Sequence, residues 1–163
     1  MDETDTSNVR IERRLSAVFS TDVQGYSRLM GDNEEATIRT LTAYRDVFAQ
    51  SIEQHRGRVV DSPGDNLLAE FSSAIDAVRC ASDVQAELAD RYARLEDDRK
   101  MRFRIGINVG DVIVEAERIY GDGVNIDARV EALADGGGIS ITNSTSLSKE
   151  CRTKIPRVLN VTR

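Results

Sequence analysis

Tryptophan is absent, and the 163 residues include only two prolines, two cysteines and one histidine. Aromatic residues make up 5% of the chain, too few for a platform on which bases stack. Positive charge is also in short supply. There are 22 Lys+Arg against 28 Asp+Glu, a net charge of −6, where a duplex-DNA binder carries a basic face. A nucleic-acid partner is therefore not expected, and an acidic balance suits carboxylates that hold metals. Cys80 and Cys151 are too few for a disulfide scaffold or a zinc cage, which points to a reducing cytoplasm. No apolar run approaches the roughly 20 residues needed to span a bilayer. The first residues, MDETDTSNVRIERR, lack the apolar centre of a secretory signal. What is present is ordinary for a globular protein: 40% hydrophobic and 31% charged residues. A domain of this size hides roughly 68–70% of its unfolded surface. The expected division is a flexible, polar segment over 1–13 and one folded domain over 14–163.

Hydrophobic periodicity orders the domain. Leu15 to Asp22 reads as a buried strand ending at an acid, broken by Gly25. Asn33 caps a helix whose early Glu34 and Glu35 suit the positive end of the helix dipole. Ile38, Leu41, Tyr44, Phe48 and Ile52 form its apolar stripe, and Gly57 closes the segment. Residues 58–71 read as a hairpin around the turn Ser62-Pro63-Gly64-Asp65. Ser72 or Ser73 caps a second helix with Ile75, Val78, Val84 and Leu88 inward and Cys80 beside them. Phe103, Ile105, Ile107 and Val109 alternate as a strand. Gly110-Asp111 is expected to turn it, with Val112 to Val114 as the hairpin partner. A third helix over Val124 to Ala134, a strand over Ile139 to Ile141 and a short helix over Ser144 to Lys149 complete the reading. The order β-α-β-β-α-β-β-α-β is α+β: a ferredoxin-like βαββαβ palm core with additional C-terminal β/α elements.

Two acids, Asp22 and Asp65, flank core strands beside glycine turns. In a β-α-hairpin unit the first strand neighbours the hairpin, so the two carboxylates are able to meet. Paired carboxylates are the hard oxygen ligands that Mg²⁺ or Mn²⁺ takes, with substrate phosphates completing the shell. Spacing alone leaves open a second reading, two turn aspartates in solvent. The turn Gln24-Gly25-Tyr26-Ser27 lets successive N–H groups face a triphosphate, although glycine turns after strands are common. Asn125 and Arg129 lie four residues apart on one helix face, suited to a sugar and a phosphate or simply to solvent. His55 reads as a surface or capping residue.

Taken together, four blocks resemble the class III nucleotide cyclase catalytic domain of the bacterial branch. They are Ala17 to Ser27, Gly64-Asp65 with Leu67 to Phe71, Arg104 to Asp111, and Tyr120 to Arg129. The resemblance runs from about Arg14 to Ile141. It implies an adenylate cyclase that converts ATP to 3′,5′-cyclic AMP and pyrophosphate in signal transduction. The implied cofactors are two Mg²⁺ or Mn²⁺ ions held by Asp22, Asp65 and the carbonyl of Val23. Gln24, Gly25, Tyr26 and Ser27 match the triphosphate-binding segment. Asn125 matches the asparagine that orients the ribose, and Arg129 the arginine that stabilises the transferring phosphoryl. The family also implies a head-to-tail homodimer with each site at the interface.

Some positions depart from the family pattern. Adenine-specific members usually carry a lysine where this chain has Asp61, and an aspartate or threonine where it has Arg118. Guanylate-type members typically use Glu and Cys there. Asp61 and Arg118 either read the purine edge with donor and acceptor exchanged or pair with each other. ATP is the expected substrate, with GTP as the open alternative. Asp111 stands where some members have a phosphate-binding arginine. The closing hairpin that carries a phosphate-binding lysine has no clear counterpart in Ile155 to Arg163, so the domain reads as shortened there. Lys149 and Lys154 are candidates for that lysine only by proximity. These departures sustain an alternative: a catalytically weak or inactive cyclase-fold module that binds nucleotide or dimerises. A diguanylate cyclase is disfavoured because no Gly-Gly-Asp/Glu-Glu-Phe hairpin is present.

Overall fold

The computed structural model describes residues 10–121, 135–142 and 158–161. Seven strands form one mixed sheet. They are β1 (Ile11–Val23), β2 (Gly57–Asp61), β3 (Leu67–Phe71), β4 (Phe103–Glu115), β5 (Arg118–Tyr120), β6 (Ile139–Thr142) and β7 (Val158–Val161). Their order is β2-β3-β1-β4-β6-β7, with β5 paired to β4. The β2–β3 hairpin lies antiparallel against β1, and β4 antiparallel along the other edge of β1. β6 and β7 then add in parallel. This is the expected α+β palm core with C-terminal additions.

Three helices belong to the described residues: α1 (Tyr26–Asp32), α2 (Glu34–Gln54) and α3 (Ala74–Tyr92). The Asn33 side chain accepts the N–H of Ala36 at 3.0 Å, the capping geometry expected of it. Ser73, the second of the two candidates, caps α3. The helices cover one face of the sheet. Leu41, Tyr44, Phe48 and Ile52 of α2 and Val78, Cys80, Val84 and Leu88 of α3 pack there against Ala17, Phe19, Phe71, Phe103, Ile105 and Ile107. All four phenylalanines join this core, with Phe48 and Phe103 centroids 4.9 Å apart and Phe19 5.8 Å from Phe71. The few aromatic rings therefore stabilise the interior and leave none of the phenylalanines for base stacking. A smaller apolar cluster of Val18, Val112, Val114 and Ile119 lies on the opposite face.

The structure corrects several expectations. β4 runs unbroken through Gly110 and Asp111, which sit opposite Ser16 and Leu15 of β1. β1 is itself 13 residues long and offers backbone partners along its whole length, so extending the ladder wins over a glycine turn. The hairpin comes later, where Ala116 takes φ 54° and leads into β5. β1 begins at Ile11, so 11–13 belong to the sheet rather than to a flexible segment. A short extra helix, α1, follows Gly25 directly. Ile38 and Ile75 are exposed, while Thr37 takes the inward place on α2 by donating its hydroxyl to the Leu29 carbonyl at 2.8 Å. The helix expected over Val124 to Ala134 and the short one over Ser144 to Lys149 lie outside the described residues.

Candidate active site

Strand alternation places Asp22 on the face opposite the helices, because its neighbours Thr21 and Val23 are buried beneath them. Directly across the ladder stands Arg104 of β4. Its guanidinium meets the Asp22 carboxylate as a fork: Nε donates to Oδ1 at 2.8 Å and Nη2 to Oδ2. Both side chains are largely withdrawn from solvent, at 24% and 16% exposure. A bidentate, partly desolvated pair of this kind is the strong form of ion pair.

Asp65 arrives from the β2–β3 turn. Gly64 takes φ +56°, a left-handed conformation that glycine adopts without cost. The Asn66 N–H closes on the Pro63 carbonyl at 2.9 Å. Asp65 then reaches β1, where its Oδ2 accepts the N–H of Val23 at 3.0 Å. Asp65 thus reaches the residue that follows Asp22, so both side chains gather at one end of β1.

The segment after Val23 divides in two. Gln24 spends its N–H on the Arg102 carbonyl at 2.9 Å, so that group does not face a ligand. Gly25 takes φ +70° and serves as the N-cap of α1. The N–H groups of Tyr26 and Ser27, first in the helix, have no intrahelical acceptor and lie just past the aspartates. Asp61 and Arg118 line one cavity of about 340 Å³, together with Val60, Leu68, Ile119 and Tyr120. No ion pair joins them, and the Asp61 Oδ1 accepts the neighbouring Ser62 N–H at 2.8 Å. Asn125 and Arg129 lie outside the described residues, as do Lys149 and Lys154. Asp111 is exposed in β4, opposite Leu15.

Two arginines were not singled out by sequence. Arg104 sits inside a recognised block, and its role becomes visible only once the register puts it opposite Asp22. Arg45 of α2 donates from Nη2 to the carbonyls of Ser62, at 3.3 Å, and of Gly64. No periodicity signals that contact.

The oxygen donors fit a hard divalent cation. Asp65 uses one carboxylate oxygen on the Val23 N–H and keeps the other for a ligand. No cluster of three or more His, Cys, Asp or Glu side chains exists among the described residues. Two carboxylates alone suit Mg²⁺ or Mn²⁺, which keep waters and take substrate phosphates as further ligands. A cation at Asp22 would have to displace the Arg104 fork, which occupies both oxygens of that carboxylate.

A mixed sheet in the order β2-β3-β1-β4-β6-β7, with its helices over one face, defines an α+β palm domain. Within that class the assignment is specific. The adenylate and guanylate cyclase catalytic domain matches residues 12–158, and the chain belongs to that family. It is 44% identical over 134 residues to a Rhizobium meliloti (strain 1021) protein provisionally named adenylate cyclase 3, covering 82% of this chain and 23% of that one. It is 26% identical over 161 residues to adenylate cyclase 1 of the same organism, covering 86% of this chain and 24% of the relative. The chain thus spans about a quarter of the length of these relatives. The crystal structure of an adenylate/guanylate cyclase/hydrolase from Silicibacter pomeroyi superposes with a TM-score of 0.78 at 38% identity, covering 83% of this chain and 79% of that chain.

Proposed function

We propose that this domain converts ATP to 3′,5′-cyclic AMP and pyrophosphate in the cytoplasm, as one half of a head-to-tail homodimer. The observation that carries the reading is the convergence of Asp22 and Asp65 on one end of β1, tied by the Asp65–Val23 hydrogen bond. In the reaction the ribose 3′-oxygen loses its proton to water and forms a bond to the α-phosphorus, and the bond from that phosphorus to pyrophosphate breaks, with its electron pair leaving on pyrophosphate. Asp22, Asp65 and the Val23 carbonyl would hold two Mg²⁺ or Mn²⁺ ions, which when bound would supply the charge that acidifies the 3′-hydroxyl and offsets the phosphate oxygens. The N–H groups of Tyr26 and Ser27 face the triphosphate, with Gly25 giving the backbone its close approach. By resemblance, Asn125 of the partner orients the ribose and Arg129 of the partner stabilises charge in the transition state. Asp61 and Arg118 offer an acceptor and a donor to the purine edge, and their unpaired arrangement around one cavity supports that role.

The test is cyclic nucleotide formation from ATP and from GTP, with Mg²⁺ and with Mn²⁺, across protein concentration. Cyclic AMP from ATP is the expected product. Dimeric protein that forms no cyclic nucleotide with Mn²⁺ overturns the reading. It would favour the alternative, a nucleotide-binding or dimerising module, whose specific support is the Arg104 fork already occupying both oxygens of Asp22.

A further inference from the structure

We infer that Arg45 is a positioning residue for Asp65, and that it sets the domain's affinity for divalent cations from outside the site. The inference rests on the reading of Asp65 as a metal ligand. Arg45 lies on α2, between core residues Leu41 and Phe48, on a helix anchored by fully buried Phe48 and Ile52. From that fixed point one guanidinium nitrogen, Nη2, donates to two carbonyls of the β2–β3 turn, those of Ser62 and Gly64. Asp65 is the next residue. The turn has few other ties: Ser62 Oγ to the Asn66 carbonyl at 3.2 Å and the Asn66 N–H to Pro63 at 2.9 Å are both internal to it. Arg45 therefore links the turn to the core, while the Asp65–Val23 bond links its carboxylate to β1.

A second observation points the same way. The Nε of Arg45 is buried without a hydrogen-bond partner. Leaving a buried donor without a partner is unfavourable, because its lost hydration is not replaced. The side chain accepts that cost in the pose that serves the turn carbonyls. A lysine in its place keeps a charged donor on a shorter, more flexible stem, and a methionine delivers neither charge nor donor.

The experiment compares native protein, Arg45→Lys and Arg45→Met, each as the full chain. Free Mn²⁺ is followed by electron paramagnetic resonance without nucleotide. Cyclic nucleotide formation is followed against Mn²⁺ concentration, and thermal unfolding without metal. Removing a group that orients a metal ligand typically costs 10–100-fold in metal affinity. Arg45→Met is expected to weaken Mn²⁺ binding by about tenfold or more and to raise the half-saturating Mn²⁺ in turnover in parallel. The rate at saturating Mn²⁺ should change much less, and Arg45→Lys should fall between. Unchanged Mn²⁺ binding in both variants, with only the melting temperature lowered, overturns the inference and makes Arg45 a structural tie. Absence of Mn²⁺ binding in the native protein overturns it together with the metal-site reading. Native protein that binds Mn²⁺ but turns over no nucleotide sinks the catalytic reading alone, and the binding series still decides the role of Arg45.

Discussion

Glu70 shows how much one residue decides. It sits in β3 at 4% exposure and accepts from Arg14 Nε and Nη2 at 2.8 Å each, Ser16 Oγ at 2.7 Å and Arg58 Nε at 2.8 Å. Burial by itself pushes its carboxyl up, but the bonds from Arg14, Ser16 and Arg58 together outweigh burial and hold it down to about 2. A carboxyl depressed in the folded state contributes stability above its unfolded value, near 4.3. That stability, on the order of 3 kcal/mol, is lost as pH falls from about 5 toward 2. Glu70→Gln should lower the melting temperature at pH 7 and flatten its dependence on pH in that window, as read by circular dichroism. A parallel decline in both proteins would rule Glu70 out as the cause. Asp22 differs in kind, because it lies next to the last residue of β1, on the face away from the helices, and buries little apolar surface. Asp22→Ala is expected to abolish cyclic nucleotide formation in a chain that still unfolds cooperatively, and Asn125→Ala likewise. A turnover rate near native in either variant would contradict the roles given to them.

Among the elements, the α2–β2 junction carries the clearest steric demand. Arg56, not a glycine, takes the positive φ of 63° that ends the helical segment. Gly57 follows as the first residue of β2, and its identity answers a different need. A Cβ there would lie 2.5 Å from the Phe71 ring, which is itself 1% exposed and packed against Phe19. The ring has no room to retreat, so Gly57→Ala should destabilise the domain by about 1–3 kcal/mol through overpacking. Chemical denaturation measures this, and a change below a few tenths would mean that the ring moves freely. The same region shows why sequence reading succeeds in part. Caps such as Asn33 and Ser73 are local chemistry and were legible. The length of β4 was not, because Gly110-Asp111 resembles a turn unless the pairing with β1 is known. Ile38 and Ile75 failed for a related reason: periodicity finds a stripe but does not say where the covering sheet ends.

At the scale of the whole molecule, the proposed reaction needs two chains. Asp22 and Asp65 belong to one protomer, and the proposed Asn125 and Arg129 come from the other. Activity per chain should therefore rise with protein concentration and then level off as dimers form, with the midpoint matching the dissociation constant from analytical ultracentrifugation. Specific activity independent of dilution, in protein shown to be monomeric, would contradict a shared site. Mixing Asp22→Ala with Asn125→Ala supplies a complementary check, since a mixed dimer retains one intact site and should recover up to about a quarter of native activity per total chain. No helix among the described residues is long and apolar enough to cross a membrane.

The sequence by itself determined the family, the α+β order, the Asn33 cap and which two aspartates flank the core strands. Those follow from local chemistry and from motifs short enough to read along the chain. Tertiary structure alone decided which residues stand across from them. Arg104 meets Asp22 from 82 residues away, and Arg45 holds the turn before Asp65 from 19 residues away. Such partners are chosen by strand register and by the packing of α2. Those are properties of the assembled sheet and core, and no period along the chain encodes them.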